Sequence, residues 1–439
     1  MKKIIITYIL VAVALVALLC WSFFSKGKET GGLPVVSIVI PEDAAPVIRN
    51  EWTENCSVKI YNANGKRVYK SPYAELEGRG HSTADKPKRP YNIKLDHEMP
   101  LFGMPAHDKW ALLAGFFDHS LMRNTLGTEV ARQTSLAATT PQGRFVILEL
   151  KGNKALPENA PINQGIYYIC ERVKDMVGDE TILLEFDAYA VNEDQFTFLT
   201  NSGLPVSIRS KKDLSMKQLE EVKRIVNEAD ANPIEHIDFD TFADYYLVQE
   251  LCQNAEPNGP RSCFMHLLPN GKLAAGPVWD FDLAFITVGI DKGNDLRPMR
   301  KAGMDGVRLL TADSLYNANA LWYGRLLKDS AFAKHVKNRW QILKPRFEKL
   351  TACIDSIDRL IRPLAEADQK QWNAVEPARF DTCTTYASAI ATLKANYMRR
   401  IEMMRDNFGK SEYSENSEYS EFSDNLTKNK TNKIIALMR

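Results

Sequence analysis

The sequence predicts an α+β chain of two lobes, the first rich in strands and the second largely helical. Three observations carry this expectation. Short β-prone runs with turn signals between them fill the stretch from about residue 34 to 190. Helical periodicity takes over from about Ser215 and continues to about residue 408. Within the helical part, "EPNGPRSCFMHLLPNGKLAAGPVWDFD" reads as a break followed by a short hairpin, with Glu256 ahead of it and Asp280 and Asp282 at its exit.

The 439 residues are 45% apolar and 25% charged, enough to bury a substantial core in one large or two medium domains. Lys and Arg number 56 against 55 Asp and Glu, which removes the electrostatic basis for general nucleic-acid binding. Residues 1–28 place Lys2 and Lys3 before the uncharged run Ile4 to Phe24, long enough to span a bilayer. A signal anchor is favoured over a cleaved signal peptide, with the body outside the cytoplasm, membrane-anchored or secreted. Cys20 follows Leu19, too bulky for a lipoprotein cleavage site. The other six cysteines lack the CxxC spacing of a zinc site, so buried thiols are the simplest expectation. Cys252 with Cys263 is the best candidate bridge in an oxidising compartment. At the far end, residues 409–439 repeat "SEYSE" in a polar tail expected to be disordered.

In the first lobe, Asn64-Gly65 marks a hairpin. Gly78-Arg79-Gly80 then forms a glycine turn before the strand "RPYNIKL", where Tyr91, Ile93 and Leu95 share one face and Asn92 and Lys94 the other. Asp118 is placed to cap a helix running to about Gln133. With Met122 as origin, Leu126 and Val130 fall at about 40° and 80° on that helix and Glu129 at about −20°. Glu129 therefore lies on the apolar stripe and needs a cation, for which Lys94 and Arg123 are the candidates. "RFVILEL" and "GIYYICERVKD" read as strands. In the second lobe Asp240 precedes a helix through "TFADYYLVQELC", and Pro269-Asn270-Gly271 turns the hairpin that leads to Asp280.

A glycine turn, a strand lysine, a helix glutamate, a loop carboxylate, a hairpin and an Asp-x-Asp, in that order, follow the parts with which protein kinases hold nucleotide and magnesium. "ELEGRGHSTADKPKRPYNIKLD", "LFGMPAHDKWALLAGFFDHSLMRNTLGTEVAR", "GIYYICERVK" and "GKLAAGPVWDFDLAF" closely resemble the CotH family, regarded as atypical secreted protein kinases. The resemblance covers roughly Pro34 to Phe408. It implies a diverged two-lobed protein-kinase-like fold, an ATP and Mg2+ (or Mn2+) site, and phosphorylation of Ser in extracytoplasmic or surface proteins. The resemblance, taken with the kinase-like order of parts, makes Arg79, Gly80, Lys94 and Glu129 the expected nucleotide-binding residues, Asp280 and Asp282 the metal ligands, and Asp280 with Glu256, which stands at the family's Asp position, the catalytic residues.

Three positions depart from the family pattern. Asn254-Ala255-Glu256 stands where the family often has Asn-x-Asp, and Arg261-Ser262 lies near where a further Asn is expected; His81 also replaces a usual Asn. A longer carboxylate arm moves the base by about 1 Å, and misplacement on that scale can cost on the order of 10²-fold in rate. Three readings follow: an active kinase, a nucleotide-binding pseudokinase serving as an envelope scaffold, and a surface structural protein that keeps only the fold. Asp280 and Asp282 alternate across the expected strand end, so one of the two can be structural. His81 and His119 are expected to be turn or capping residues, since neither has a partner histidine at ligand spacing.

Overall fold

The computed structural model describes residues 28–152, 154–189, 196–209, 213–285, 315–373 and 383–408. The anchor and tail expectations therefore fall outside the described residues, and within them no helix is long and apolar enough to cross a membrane.

Seven strands form the first unit: β1 (Val35–Val39), β2 (Thr53–Tyr61), β3 (Arg67–Gly78), β4 (Tyr91–Pro100), β5 (Ala106–Leu113), β6 (Gly143–Lys151) and β7 (Asn163–Cys170). They close into a barrel in the order β1-β2-β3-β4-β5-β7-β6. Closure comes from β1, which pairs antiparallel with β2 and parallel with β6, so that Val35 faces both Tyr61 and Ile147. Closure leaves the barrel itself without an edge strand. The α+β expectation stands, but a closed seven-stranded barrel is not the usual small lobe of a protein kinase.

The pleat explains which residues fill the barrel. Val58, Ile60, Leu76, Ile93, Leu95, Trp110, Leu112, Leu148 and Ile169 point inward and are buried together. On the other side of β5, β6 and β7, Ala111, Phe145, Ile147, Ile166 and Tyr168 join the helical core. These strands are buried on both faces, which is why "RFVILEL" and "GIYYIC" read as unbroken apolar runs. β3 and β4 keep one wet face, where Lys94 stands.

A second sheet has the order β12-β11-β8-β10-β9. Its strands are β8 (Leu183–Phe186), β9 (Thr197–Leu199), β10 (Pro205–Ile208), β11 (Cys263–Leu267) and β12 (Leu273–Ala275). The β11–β12 hairpin thus pairs with β8, Cys263 opposite Phe186, and stitches the helical half onto the β-rich half.

The helices are α1 (Arg123–Ala131), α2 (Met216–Ala231), α3 (Pro233–His236), α4 (Phe239–Leu251), α5 (Tyr323–Leu326), α6 (Ser330–Glu348), α7 (Thr351–Asn373) and α8 (Tyr386–Phe408). Ser215 starts α2 with a capping box to Gln218. Asp238 caps α4, two residues ahead of the Asp240 expected to precede it. From Phe242 to Leu251 every residue of α4 is buried. It is the central helix, and its buried Asp244 is matched by Arg339 of α6, whose Nε donates across 2.8 Å.

The Cys252–Cys263 bridge does not form. Both are buried free thiols: Cys252 packs in the helical core, and the Cys263 Sγ donates to the Arg261 carbonyl at 3.2 Å.

A buried ion pair ties the barrel to α7. Lys88, 1% exposed, donates to the Ile166 carbonyl at 2.8 Å and to both Asp368 oxygens at 2.8 and 2.9 Å, while the Ile166 N–H donates to Asp368 at 2.7 Å. Removing one member leaves the other charged and unpaired in the interior. Lys88→Met is expected to cost about 3–5 kcal/mol in urea unfolding. A change under about 1 kcal/mol, the range of an exposed pair, would mean that the site relaxes to admit water.

Candidate active site

Helix α1 builds the platform for the Asp-Phe-Asp motif. Its first N–H, on Arg123, donates to Asp118 Oδ2 at 2.7 Å, and the Ser120 N–H donates to Asp118 Oδ1 at 2.8 Å. The N-cap residue itself is Met122, without a side-chain cap, so Asp118 serves the helix start from outside it, and the helix begins later and ends earlier than the sequence implied. At the next residue, Asn124 Oδ1 accepts the Phe281 N–H at 2.8 Å and its Nδ2 donates to Asp282 Oδ1. Arg123 Nη1 donates to the Asp282 carbonyl at 3.1 Å. Phe281 is fully buried against Gly127, where an added Cβ would meet its ring at 2.3 Å, so only glycine fits there.

Asp280 does not continue a strand. Its φ of 58° puts it in the left-handed region, where a non-glycine residue is strained. Two hydrogen bonds stabilise that turn: Asn254 Nδ2 donates to the Asp280 carbonyl at 3.0 Å, and the Asp282 N–H reaches Asp280 Oδ1 at 3.4 Å. Asp280 and Asp282 consequently face one electrostatic environment instead of alternating across a sheet. Burial pushes the Asp282 carboxyl up to about 8, and neighbouring Asp280 and Asp118 push the same way against Arg123 and Asn124. Asp280 is also raised by burial, with its hydrogen bond from Asp282 and the charges of Arg261 and Arg79 opposing.

Glu256 opens a short 3-10 turn, Glu256–Asn258, after α4. It is 6% exposed, and burial raises its carboxyl to about 8 against the pull of Arg261, with Asp280, Asp187 and Asp282 adding to the rise. Its partner is the other residue that departs from the family pattern: Arg261 Nε lies 3.3 Å from Glu256 Oε2. Arg261 also stacks over the Tyr189 ring at 5.6 Å, and Tyr189 stacks on His81 with centroids 4.4 Å apart.

Arg79 closes the group from the barrel side. Its guanidinium sits 5.0 Å above the Trp279 ring, just ahead of Asp280, and its buried Nη1 has no hydrogen-bond partner among the described residues. Burial lowers its pKa from the ordinary value, while Cys170 and Asp280 offset that. Gly80 beside it has φ 81°, and an added Cβ would lie 2.2 Å from Thr83 Oγ1, so the turn requires glycine.

Lys94 and Glu129 are not brought together. Lys94 alternates outward as expected, but its ammonium pairs with Glu75 of the neighbouring strand and stays about one-third exposed on the barrel's outer face. Glu129 is indeed largely buried, yet its cation is Arg132 at 3.6 Å with Arg144 nearby, and burial raises its carboxyl against both. Arg123, the other expected partner, faces Asp118 at 3.5 Å. His119 is structural, its ring nitrogens 2.6 Å from the Cys383 carbonyl and 3.1 Å from Asn373 Oδ1.

The residues present fit a divalent cation. Among the described residues no three His, Cys, Asp or Glu side chains stand together at ligating distance. Two half-buried carboxylates that resist ionisation side by side are nevertheless relieved by a cation, and magnesium characteristically takes one or two carboxylates and fills the rest of its shell with water and substrate phosphate. Arg79 Nη1, without a hydrogen-bond partner among the described residues, has the chemistry to donate to a phosphate oxygen.

The acidic turn, strained at Asp280 and clamped by the helix residue Asn124, thus has the loop carboxylate Glu256 on one side and Arg79 on the other. A family model described as CotH kinase protein matches residues 76–418, most of the chain, and the chain belongs to that family. No curated protein matches it.

Proposed function

We propose that this protein is an ATP-dependent kinase of the CotH type that phosphorylates Ser residues of cell-surface or envelope proteins, its body outside the cytoplasm and held to the membrane by the N-terminal segment. The observation that supports it best is the shared electrostatic environment of Asp280, Asp282 and Glu256, whose carboxyls are all raised, with Arg79 alongside.

Asp280 and Asp282 would hold Mg2+ (or Mn2+), and the metal, when bound, would neutralise charge on the phosphate oxygens of ATP. Arg79 donates to a phosphate oxygen from the Gly80 turn. Glu256 accepts the proton of the substrate Ser hydroxyl; a carboxyl titrating near 8 is well matched to that task once ionised. Asn124 fixes the Asp282 carboxylate, and Asn254 fixes the Asp280 turn.

A second reading rests on the Arg261–Glu256 ion pair. A base occupied by an arginine is withheld from a hydroxyl, which fits a nucleotide-binding pseudokinase acting as a scaffold. Incubation with γ-labelled ATP, Mg2+ or Mn2+ and a generic Ser-containing protein separates the two. Labelled phosphoserine supports the kinase; calorimetric ATP binding without transfer supports the scaffold; neither leaves the structural protein.

Lys94, paired on the outer face with Glu75, contributes less to the nucleotide in this reading than Arg79. Arg79→Met is expected to weaken ATP binding by about tenfold or more, in line with a lost charge-assisted bond. Lys94→Met should change it less than about threefold. The reverse order in calorimetry would restore the lysine to the phosphates.

A further inference from the structure

The turn that carries Glu256 is gripped from a part of the chain far from the recognised motifs. The grip begins at Glu250, a fully buried carboxylate in the last turn of α4. Such a charge needs several partners. Arg400 of α8 lies 3.1 Å from its Oε1, the Asn317 N–H donates to Oε2 at 2.6 Å, and the Tyr316 N–H donates to Oε1.

With its backbone so pinned, the Asn317 side chain, 1% exposed, spans the loop after α4. Its Nδ2 donates to the Gln249 carbonyl at 3.0 Å and the Asn254 carbonyl at 3.2 Å, and its Oδ1 accepts from Asn258 Nδ2 at 2.8 Å. Asn254 carries the connection onward, since its Oδ1 faces the Glu256 N–H at 3.4 Å while its Nδ2 bonds the Asp280 carbonyl. Contacts from Asn317 therefore bracket Glu256 two residues before and two residues after. Amides suit this place because they supply both donor and acceptor without adding another anion to an acidic site.

We infer that Asn317, anchored by Glu250, is a positioning residue for phosphate transfer, fixing the Glu256 turn and, through Asn254, its distance from Asp280. The inference rests on the kinase reading for its catalytic consequence and on geometry alone for the placement of Glu256. Asn317 touches neither nucleotide nor acceptor in this scheme. Its loss should lower kcat and spare ATP binding, because a base displaced by about 1 Å can cost on the order of 10²-fold.

The test uses the whole chain in two forms, Asn317→Ala and the milder Asn258→Ala, which removes one bond from a less buried residue. Two quantities are read: kcat and KM for ATP, and the titration of the Glu256 carboxyl by carbon NMR, assigned against Glu256→Gln. Expected are a fall in kcat of about ten- to a hundredfold with KM for ATP within about twofold, and a Glu256 titration that drops toward the ordinary carboxylate range as the turn loosens into water. If Asn317→Ala does not fold, Asn258→Ala carries the same expectations at smaller size. An unchanged Glu256 titration in a folded variant overturns the positioning role, as does a raised KM with kcat preserved. Absence of transfer by the wild-type chain would count against the kinase reading, and the titration would still decide the placement.

Discussion

Replacing Asp280 and Asp282 together by Asn is expected to abolish metal-dependent ATP binding and to lower phosphate transfer by at least about 10²-fold while the fold survives. The fold survives because the motif is held through groups an amide retains. Asn124 Nδ2 can still donate to a side-chain oxygen at position 282, and the Asn254 and Arg123 bonds go to main-chain carbonyls. The pH dependence of stability provides a separate check. A carboxyl raised in the folded state contributes stability below its unfolded value that is lost as pH rises through its folded value. Asp282 and Glu256 both rise to about 8 from 3.8 and 4.5, so the metal-free protein should lose thermal stability between about pH 4 and 9. That loss should shrink in the double variant and on adding Mg2+ with ATP. Calorimetric ATP binding with undiminished metal dependence in the double variant would remove both carboxylates from the metal site.

The second large effect concerns Glu256 and its ion-pair partner. If the site is built around the longer arm, Glu256→Asp withdraws the carboxylate by about one methylene and should lower transfer by on the order of 10²-fold. Arg261 would then face a gap, since its Nε reaches Glu256 Oε2 at only 3.3 Å in the wild type. The pseudokinase reading makes the opposite demand: a silent wild-type chain in which Glu256→Asp with Arg261→Asn raises transfer above background, ATP affinity being unchanged. Radiolabel transfer by the four proteins, two single variants, the double variant and wild type, distinguishes these outcomes.

Features set by local chemistry were legible in the sequence. The Asn64-Gly65 turn joins β2 to β3 with the Gly65 N–H donating to the Asn62 carbonyl at 2.9 Å, and Pro269-Asn270-Gly271 turns β11 into β12, because both need only a few residues and a glycine φ. The helical stretch expected from about Ser215 does begin there, α2 starting at Met216. Barrel closure was not legible, since nothing near Val35 indicates that it will lie against Ile147. Alternation told which face Lys94 takes but not what that face meets; antiparallel register with β3 supplied Glu75. Glu129 was rightly placed toward the interior from its helical angle, and its actual cations came from one turn along the helix and from β6. Asn124 went unnoticed because its partner Asp282 lies 158 residues away and an asparagine early in a helix ordinarily signals a cap. Its position six residues after Asp118, within the long motif shared with the family, was the available clue.

The proposed transfer chemistry depends most directly on Glu256 acting as the base. The decisive measurement is single-turnover transfer from ATP with Mg2+ to a Ser acceptor, compared between wild type and Glu256→Ala from pH 6 to 9. A wild-type rate that rises with pH through the ionisation of Glu256, and a variant slower by at least about 10²-fold and lacking that rise, are expected. Equal rates and equal pH profiles in the two proteins would contradict a catalytic role for Glu256 and move the search for the base to Asp280 or Asp282.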